Sequence, residues 1–281
     1  MKIAISGASG FIGKRLSKKF NELGFIVVSL SRSDFEKDID LLMHKLSDTD
    51  IVINLAGANI AKRWTKAYKQ IIYKSRIQST QMLVNAINKM EVKPKLLLSA
   101  SAIGIYDALN QHDENSTKFA DNFLSVICRD WEKEAFKAVI PTVILRFSVV
   151  LDRNEGAFPK MFLPFKFGLG GKIGSGKQWF SWIYIDDLVN AVIHIIKNDS
   201  RSIIYNIVSP ESITNIGFTE ILSKKIRKPA LFSVPSFVFK IFYGEGAVIM
   251  LEGQNVIPNR LIGEGFVFNY SKFDKVLDIL I

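Results

Sequence analysis

The stretch that most limits what this chain can become is its start, "MKIAISGASGFIGKRLSKKF". The β-formers Ile3 to Ser6 lead into Gly7, Gly10 and Gly13, and a helical stretch from about Phe11 to Leu23 follows. A strand-to-helix turn offers free backbone N–H groups at the positive end of the helix dipole. Glycine there lets a pyrophosphate approach the backbone without meeting a β-carbon. The spacing is GxxGxxG rather than the commoner GxGxxG. Its place, after a strand and before a helix in a βαβ unit, is the one a dinucleotide site requires. The alternative is a tight turn with no ligand.

The pattern continues in the same alternation. Apolar runs at "FIVVSLS", "DIVINLAG", "KLLLSAS" and "TVILRFSVV" read as strands. Between them, "TKAYKQIIYKSRIQSTQMLVNAINKM" and "FLSVICRDWEKEAFKAV" read as helices. Ile71, Ile72, Met82, Leu83 and Ile87 give the first of these helices a buried face, and Pro94 marks its end. Strands alternating with helices imply right-handed crossovers and a doubly wound parallel sheet. The unbroken apolar strands fit a sheet covered on both faces.

After Leu151 the pattern loosens, so residues 1–150 read as the nucleotide-binding domain and 151–281 as a smaller α+β lobe on the substrate side. Trp182 to Asn198 and Ile203 to Ser209 are expected to return to the main core. "GLGGKIGSGKQ" carries five of the 18 glycines and reads as a loop, closing like a lid with Trp179, Phe180 and Trp182 as apolar cover. Walker spacing is absent, because Gln178 follows Gly176-Lys177. Asp186-Asp187 is expected to cap a helix, and Thr214 or Asn215 the next one.

Composition excludes several classes. With 48% hydrophobic and 23% charged residues the chain is an ordinary globular one. Its apolar runs are interrupted before the roughly 18 residues of a spanning helix, and no charged-then-apolar leader is expected before the first strand. A membrane-surface role for the apolar 230–250 stretch stays as an alternative. The net charge of +10 is spread over scattered lysines without a nucleic-acid motif. The expectation is a basic surface that binds no nucleic acid. One cysteine, Cys128, fits a reducing cytoplasm. His44, His112 and His194 show no metal spacing, and no metal site is expected.

The second strand bears on the choice of cofactor. NAD sites place an acidic residue there to grip the ribose 2′-hydroxyl. This strand closes on Ser31-Arg32-Ser33. Arg32 can pair with a 2′-phosphate and stack on adenine, which favours NADP. The alternative is a solvated arginine, with Asp34 serving NAD.

"SGASGFIG" resembles the opening of extended short-chain dehydrogenase/reductases, the nucleotide-sugar epimerase relatives. "NLAGANI", "RWT", "SRIQSTQMLV", "LPFKFGLGGKIGSGKQWFSWIYIDDLV" and "EGQNVIPNRL" are similar to the atypical epimerase-like subfamily known as cell-division-inhibitor-like or epimerase family protein 39U1. The resemblance runs from residue 1 to about 270. It implies a Rossmann fold and NADP. Gly7, Gly10, Phe11 and Ile12 would line the pyrophosphate, and Ser31 and Arg32 would hold the 2′-phosphate. Leu55, Ala56 and Gly57 would pass beside the adenosine and ribose. Arg76 falls where ordinary relatives carry a structural Asn, and by the resemblance it would contact the cofactor. Phe147 to Val150 would approach the nicotinamide amide. Asn59 stands where many relatives have Glu.

Ordinary members use a Tyr-x-x-x-Lys pair, in which tyrosine moves the proton as hydride moves at the nicotinamide. Aligned on Trp131-Glu132, this chain has Leu124 at the tyrosine position and Cys128 at the lysine position. Of Ser99 and Ser101, Ser101 better matches the serine that orients the substrate oxygen, and Tyr106 is the substitute proton donor, or else a plain aromatic wall of the pocket. Cys128 reads as a buried filler, a cofactor neighbour or, least readily, a nucleophile. The expected function is an NADP-binding, epimerase-like oxidoreductase with a non-standard site. Its substrate would be a small molecule of the sugar-nucleotide kind, and the protein a monomer or homodimer. The rival is a non-catalytic NADP-binding sensor.

Overall fold

The computed structural model describes residues 1–36, 38–198 and 203–281. Six parallel strands form the main sheet: β1 (Lys2–Ser6), β2 (Ile26–Leu30), β3 (Ile51–Asn54), β4 (Leu96–Ala102), β5 (Thr142–Phe147) and β6 (Ile204–Ile207). Their order is β6-β5-β4-β3-β1-β2. The chain reverses direction across the sheet at β1, which pairs with both β2 and β3. Open α/β sheets bind ligands at such a switch point, beyond the C-terminal strand ends.

Alternation along each strand builds two cores, because neighbouring side chains point to opposite faces. Ile3, Ile5, Leu96 and Leu98 enter one core, which also holds Leu16 and Phe20 of α1 (Phe11–Glu22). Ala4, Val52 and Leu97 enter the other, with Leu42 of α2 (Ile39–Leu46) and Leu83 and Ile87 of α3 (Lys66–Lys89). Each fully buried Leu or Ile contributes roughly 1.5–3 kcal/mol. On α3, Ile72, Leu83 and Ile87 are buried, whereas Ile71 is half exposed, one residue off the packed face. The helix ends at Lys89 with Met90 as its cap, ahead of Pro94. α4 (Phe123–Ala135) packs beside α3.

The remaining helices are α5 (Phe158–Lys166), α6 (Ile185–Lys197), α7 (Asn215–Ile226), α8 (Ser236–Tyr243), α9 (Val248–Leu251), α10 (Asn259–Gly263) and α11 (Phe273–Leu280). α6 lies against α1, and β6 extends the sheet beside β5. Short strand pairs organise the later residues: Gly171–Ile173 with Phe232–Val234 and Trp179–Phe180 with Ile213–Thr214, while Asn255–Val256 pairs back to Gln111–His112 of the first half. None of α8 is buried. No helix among the described residues is long and apolar enough to cross a membrane.

Three expectations fail here for physical reasons. The glycine-rich segment is not a plain loop. Gly171 stands in a strand so tight that a β-carbon would lie 1.9 Å from the Phe232 carbonyl oxygen. Trp182 is not a cover over a pocket. It is fully buried against Phe273, and Phe180 packs on Phe218 and Phe273. Asp186 and Asp187 cap nothing: α6 starts after Tyr184 with no side-chain cap. The buried Asp187 carboxylate instead accepts the Asn269 and Tyr270 amides at 3.0 and 2.8 Å, pinning the C-terminal segment. Thr214 does cap α7, accepting the Gly217 amide at 3.2 Å.

Candidate cofactor and active site

The glycine bend is held by close backbone contacts. Gly7 has φ +77°, a conformation that disfavours side chains, and a β-carbon there would sit 3.1 Å from the Leu55 carbonyl. The Gly10 amide donates to the Gly7 carbonyl at 2.9 Å. At Gly13 a β-carbon would come within 2.2 Å of the Gly7 oxygen, so α1 packs directly on the turn. No side chain caps α1, and its first turn carries no acidic residue. The opening N–H groups around Phe11 and Ile12 are therefore neither capped by a side chain nor repelled from an anion. The Phe11 ring packs against Gly156.

Ser31 and Arg32 lie at the end of β2, both exposed, where a short 3-10 helix begins. Asp34 is engaged by its neighbours through one oxygen, Oδ2. Its carboxylate accepts the Ser31 amide at 2.6 Å, the Ser31 hydroxyl at 2.7 Å and the Lys45 ammonium at 2.7 Å. Burial works against its charge, yet the Lys45 and Ser31 bonds hold it below the usual carboxylate range. Among the described residues, no carboxylate pairs with Arg32. Beside the bend, the Leu55 and Ala56 amides donate to the Ser6 carbonyl and hydroxyl, fixing the loop after β3 against the end of β1. Gly57 follows, and the Arg76 guanidinium of α3 lies on it: a β-carbon would sit 2.9 Å from Arg76 Cζ. Asn59 turns to its own loop, accepting the Ala61 amide. Val150 is half-buried in Val149–Leu151, which pairs with Trp182–Tyr184.

The opposite end of the cleft departs from expectation. Ser101 is buried, and its hydroxyl donates to Glu132 Oε1 at 2.6 Å. Arg146 meets the same carboxylate with two donors, Nε at 2.8 Å and Nη2 at 2.7 Å. Its Nη1 donates to the Tyr106 hydroxyl oxygen at 2.7 Å, and Tyr106 donates to Asn206 Oδ1 at 2.9 Å. Tyr106 has no exposed surface and stacks on His112. In this structure its hydroxyl faces Arg146 and Asn206. Its one proton is committed inward, and burial raises its pKa although Arg146 opposes the shift. Ser101 likewise faces Glu132 rather than a substrate oxygen.

Leu124 presses onto Gly104, where a β-carbon would lie 2.4 Å from Cδ2. Cys128 is buried, and its thiol is pushed up to about 11, first by burial and then by the Glu132 charge. At neutral pH it is a protonated, inert thiol. The Glu132–Arg146 pair escaped the sequence reading. Its signal was present: an arginine inside the apolar strand "TVILRF" needs a buried carboxylate partner.

The NAD dependent epimerase/dehydratase family matches residues 3–208, and a domain of unknown function, DUF1731, matches residues 234–280. An epimerase family protein of Staphylococcus haemolyticus is 38% identical over 292 aligned residues, covering 99% of this chain and 98% of that protein. The crystal structure of the human epimerase family protein SDR39U1 (isoform 2) with NADPH has 33% identity and a TM-score of 0.90, covering 100% of this chain and 99% of that one. A nucleoside-diphosphate sugar epimerase from Corynebacterium glutamicum has 26% identity and a TM-score of 0.81, covering 100% of this chain and 58% of that one. The glycine bend, the strand order and these likenesses converge: the chain belongs to the NAD dependent epimerase/dehydratase family.

Proposed function

We propose that the protein binds NADP across the glycine bend and acts as an epimerase-like oxidoreductase on a small, sugar-nucleotide-like substrate, without the tyrosine–lysine pair of its relatives. One observation carries the choice of cofactor. Arg32 is exposed and unpaired among the described residues, while Asp34 is locked onto Ser31 and Lys45. Asp34 already neutralises Lys45 through Oδ2, and a free guanidinium suits a 2′-phosphate.

The residues divide the dinucleotide among them. The first-turn amides around Gly10, Phe11 and Ile12 take the pyrophosphate, and Gly7 keeps the path clear. Ser31 and Arg32 take the 2′-phosphate. Leu55, Ala56 and Gly57 lie along the adenosine and ribose, and Val150 approaches the nicotinamide amide. When bound, NADP supplies or accepts a hydride at its nicotinamide ring. Leu124 and Cys128, at the positions of the relatives' tyrosine and lysine, move no proton. Ser101 holds Glu132 in place. The single cysteine favours a reducing cytoplasm, with the protein acting as a monomer or homodimer.

The same loss of the tyrosine–lysine pair supports a second reading, a non-catalytic NADP-binding protein. The deciding experiment incubates NADPH-loaded protein with a panel of carbonyl compounds and nucleotide sugars and follows NADPH absorbance and product mass. Turnover establishes the oxidoreductase. Tight NADPH binding with no product across the panel establishes the sensor.

A further inference from the structure

The positive charge of the chain is gathered in one place. Residues 157–177 and 221–244 carry nine of the 37 lysines and arginines and none of the 27 aspartates and glutamates, and so hold nearly all of the +10 net charge. Among the described residues only one of the nine, Lys225, meets a carboxylate, that of Asp278. The two segments lie side by side. Gly171–Ile173 pairs with Phe232–Val234, and the Lys228 ammonium donates to the Lys166 carbonyl. A β-carbon on Gly174 would lie 3.9 Å from that of Ser236, the first residue of α8.

Large apolar side chains stand on the same adjoining elements. Phe167, Leu231, Phe232, Phe237, Ile241 and Phe242 are each more than half exposed. Single exposed apolar residues are ordinary, whereas a gathered group marks a contact surface. The C-terminal end of α8 is anchored. Arg63 Nη1 donates to the Ile241 carbonyl, the Trp64 amide donates to the Tyr243 carbonyl at 3.1 Å, and Lys69 pairs with Glu245 at 2.6 Å. The loop after β3 and the first turn of α3 thus hold the helix while Phe237, Ile241 and Phe242 stay in solvent.

The mixture of cations and rings narrows the partner. Protein interfaces are depleted of lysine at their centre, and a two-fold dimer would press the same cations against one another. An anionic bilayer answers both features. Its headgroups draw lysines within about 10 Å, and aromatic and aliphatic side chains enter the headgroup boundary. We propose that this face docks the protein peripherally on a bilayer bearing anionic phospholipids. With eight residues, α8 lies on such a surface and is too short to cross it.

Cosedimentation tests this with vesicles of phosphatidylcholine alone and of phosphatidylcholine mixed with phosphatidylglycerol. The wild type should pellet with the mixed vesicles at low salt, bind the neutral ones about tenfold more weakly or worse, and be released as salt rises. Phe237→Ser combined with Phe242→Ser should weaken binding to the mixed vesicles by about tenfold or more. Lys166→Glu combined with Lys240→Glu should do the same. Lys89→Glu combined with Lys133→Glu, at exposed positions of α3 and α4, makes an equal change in net charge and should cost less than about threefold. Circular dichroism and thermal melting establish that each variant is folded. No pelleting of the wild type with mixed vesicles at low salt, or an equal loss in the Lys89 and Lys133 variant, would overturn the proposal. So would a dimer, seen by sedimentation velocity without vesicles, that the Phe237 and Phe242 substitutions dissociate, because a second copy would then cover the face.

Discussion

The two ends of the cleft are built on opposite principles. At the adenosine end, backbone geometry makes the site: a glycine of positive φ, uncapped amides and an exposed Arg32 leave donors for a ligand. At the other end, side chains satisfy one another. Ser101, Glu132, Arg146, Tyr106 and Asn206 form one buried chain of hydrogen bonds with few donors left to offer. Substitutions at the first end should therefore change ligand affinity and spare stability, whereas substitutions at the second should do the reverse.

The largest effect is expected at Arg146. Arg146→Met strands the Glu132 carboxylate in the interior and should cost about 3–5 kcal/mol in urea unfolding. Pairing it with Glu132→Leu should restore much of that stability, because the uncompensated charge is gone. If Arg146→Met instead weakened NADPH with stability intact, the division between the two ends would be wrong.

Cys128 sharpens the comparison through pH. Its thiol sits at about 11 in the folded protein against an ordinary 9.0. The folded state thus holds the proton longer than the unfolded chain. The contribution is complete below about pH 8.5 and declines as pH rises through 9 towards 11. Two pKa units correspond to about 3 kcal/mol, and burial coupled to Glu132 makes that an upper figure. Comparing unfolding of the wild type and Cys128→Ala at pH 8 and pH 10.5 should show the smaller alkaline loss in the variant. An equal loss in both would remove the thiol from the account.

The smallest of these effects belongs to Tyr106. Tyr106→Phe removes one hydrogen bond to Asn206 and one from Arg146, and should cost about 1–3 kcal/mol. NADPH affinity and any turnover found in the substrate panel should persist. Turnover abolished in folded Tyr106→Phe would return the tyrosine to catalysis.

The same contrast explains what the sequence made legible. The sheet followed from unbroken apolar runs alternating with helical stretches, and the phosphate bend from glycines whose role depends on backbone alone. Ser101 and Tyr106 were recognisable as polar groups near the site. Their direction was not, because their partners lie 31 and 100 residues away in the chain. Gly171 misled for a related reason: a glycine marking close approach to Phe232 looks the same in sequence as one marking a loop. Trp182 resembled a pocket cover because an aromatic run does not say which ring meets Phe273 in the core.

The central claim is that the corner at Ser31 and Arg32 reads a 2′-phosphate. Calorimetry of the wild type and Arg32→Asp with NADPH and NADH tests it most directly. The account predicts a clear preference for NADPH in the wild type, and in Arg32→Asp a loss of that preference by about tenfold or more with no change in melting temperature. Equal affinity of the wild type for the two cofactors would contradict it.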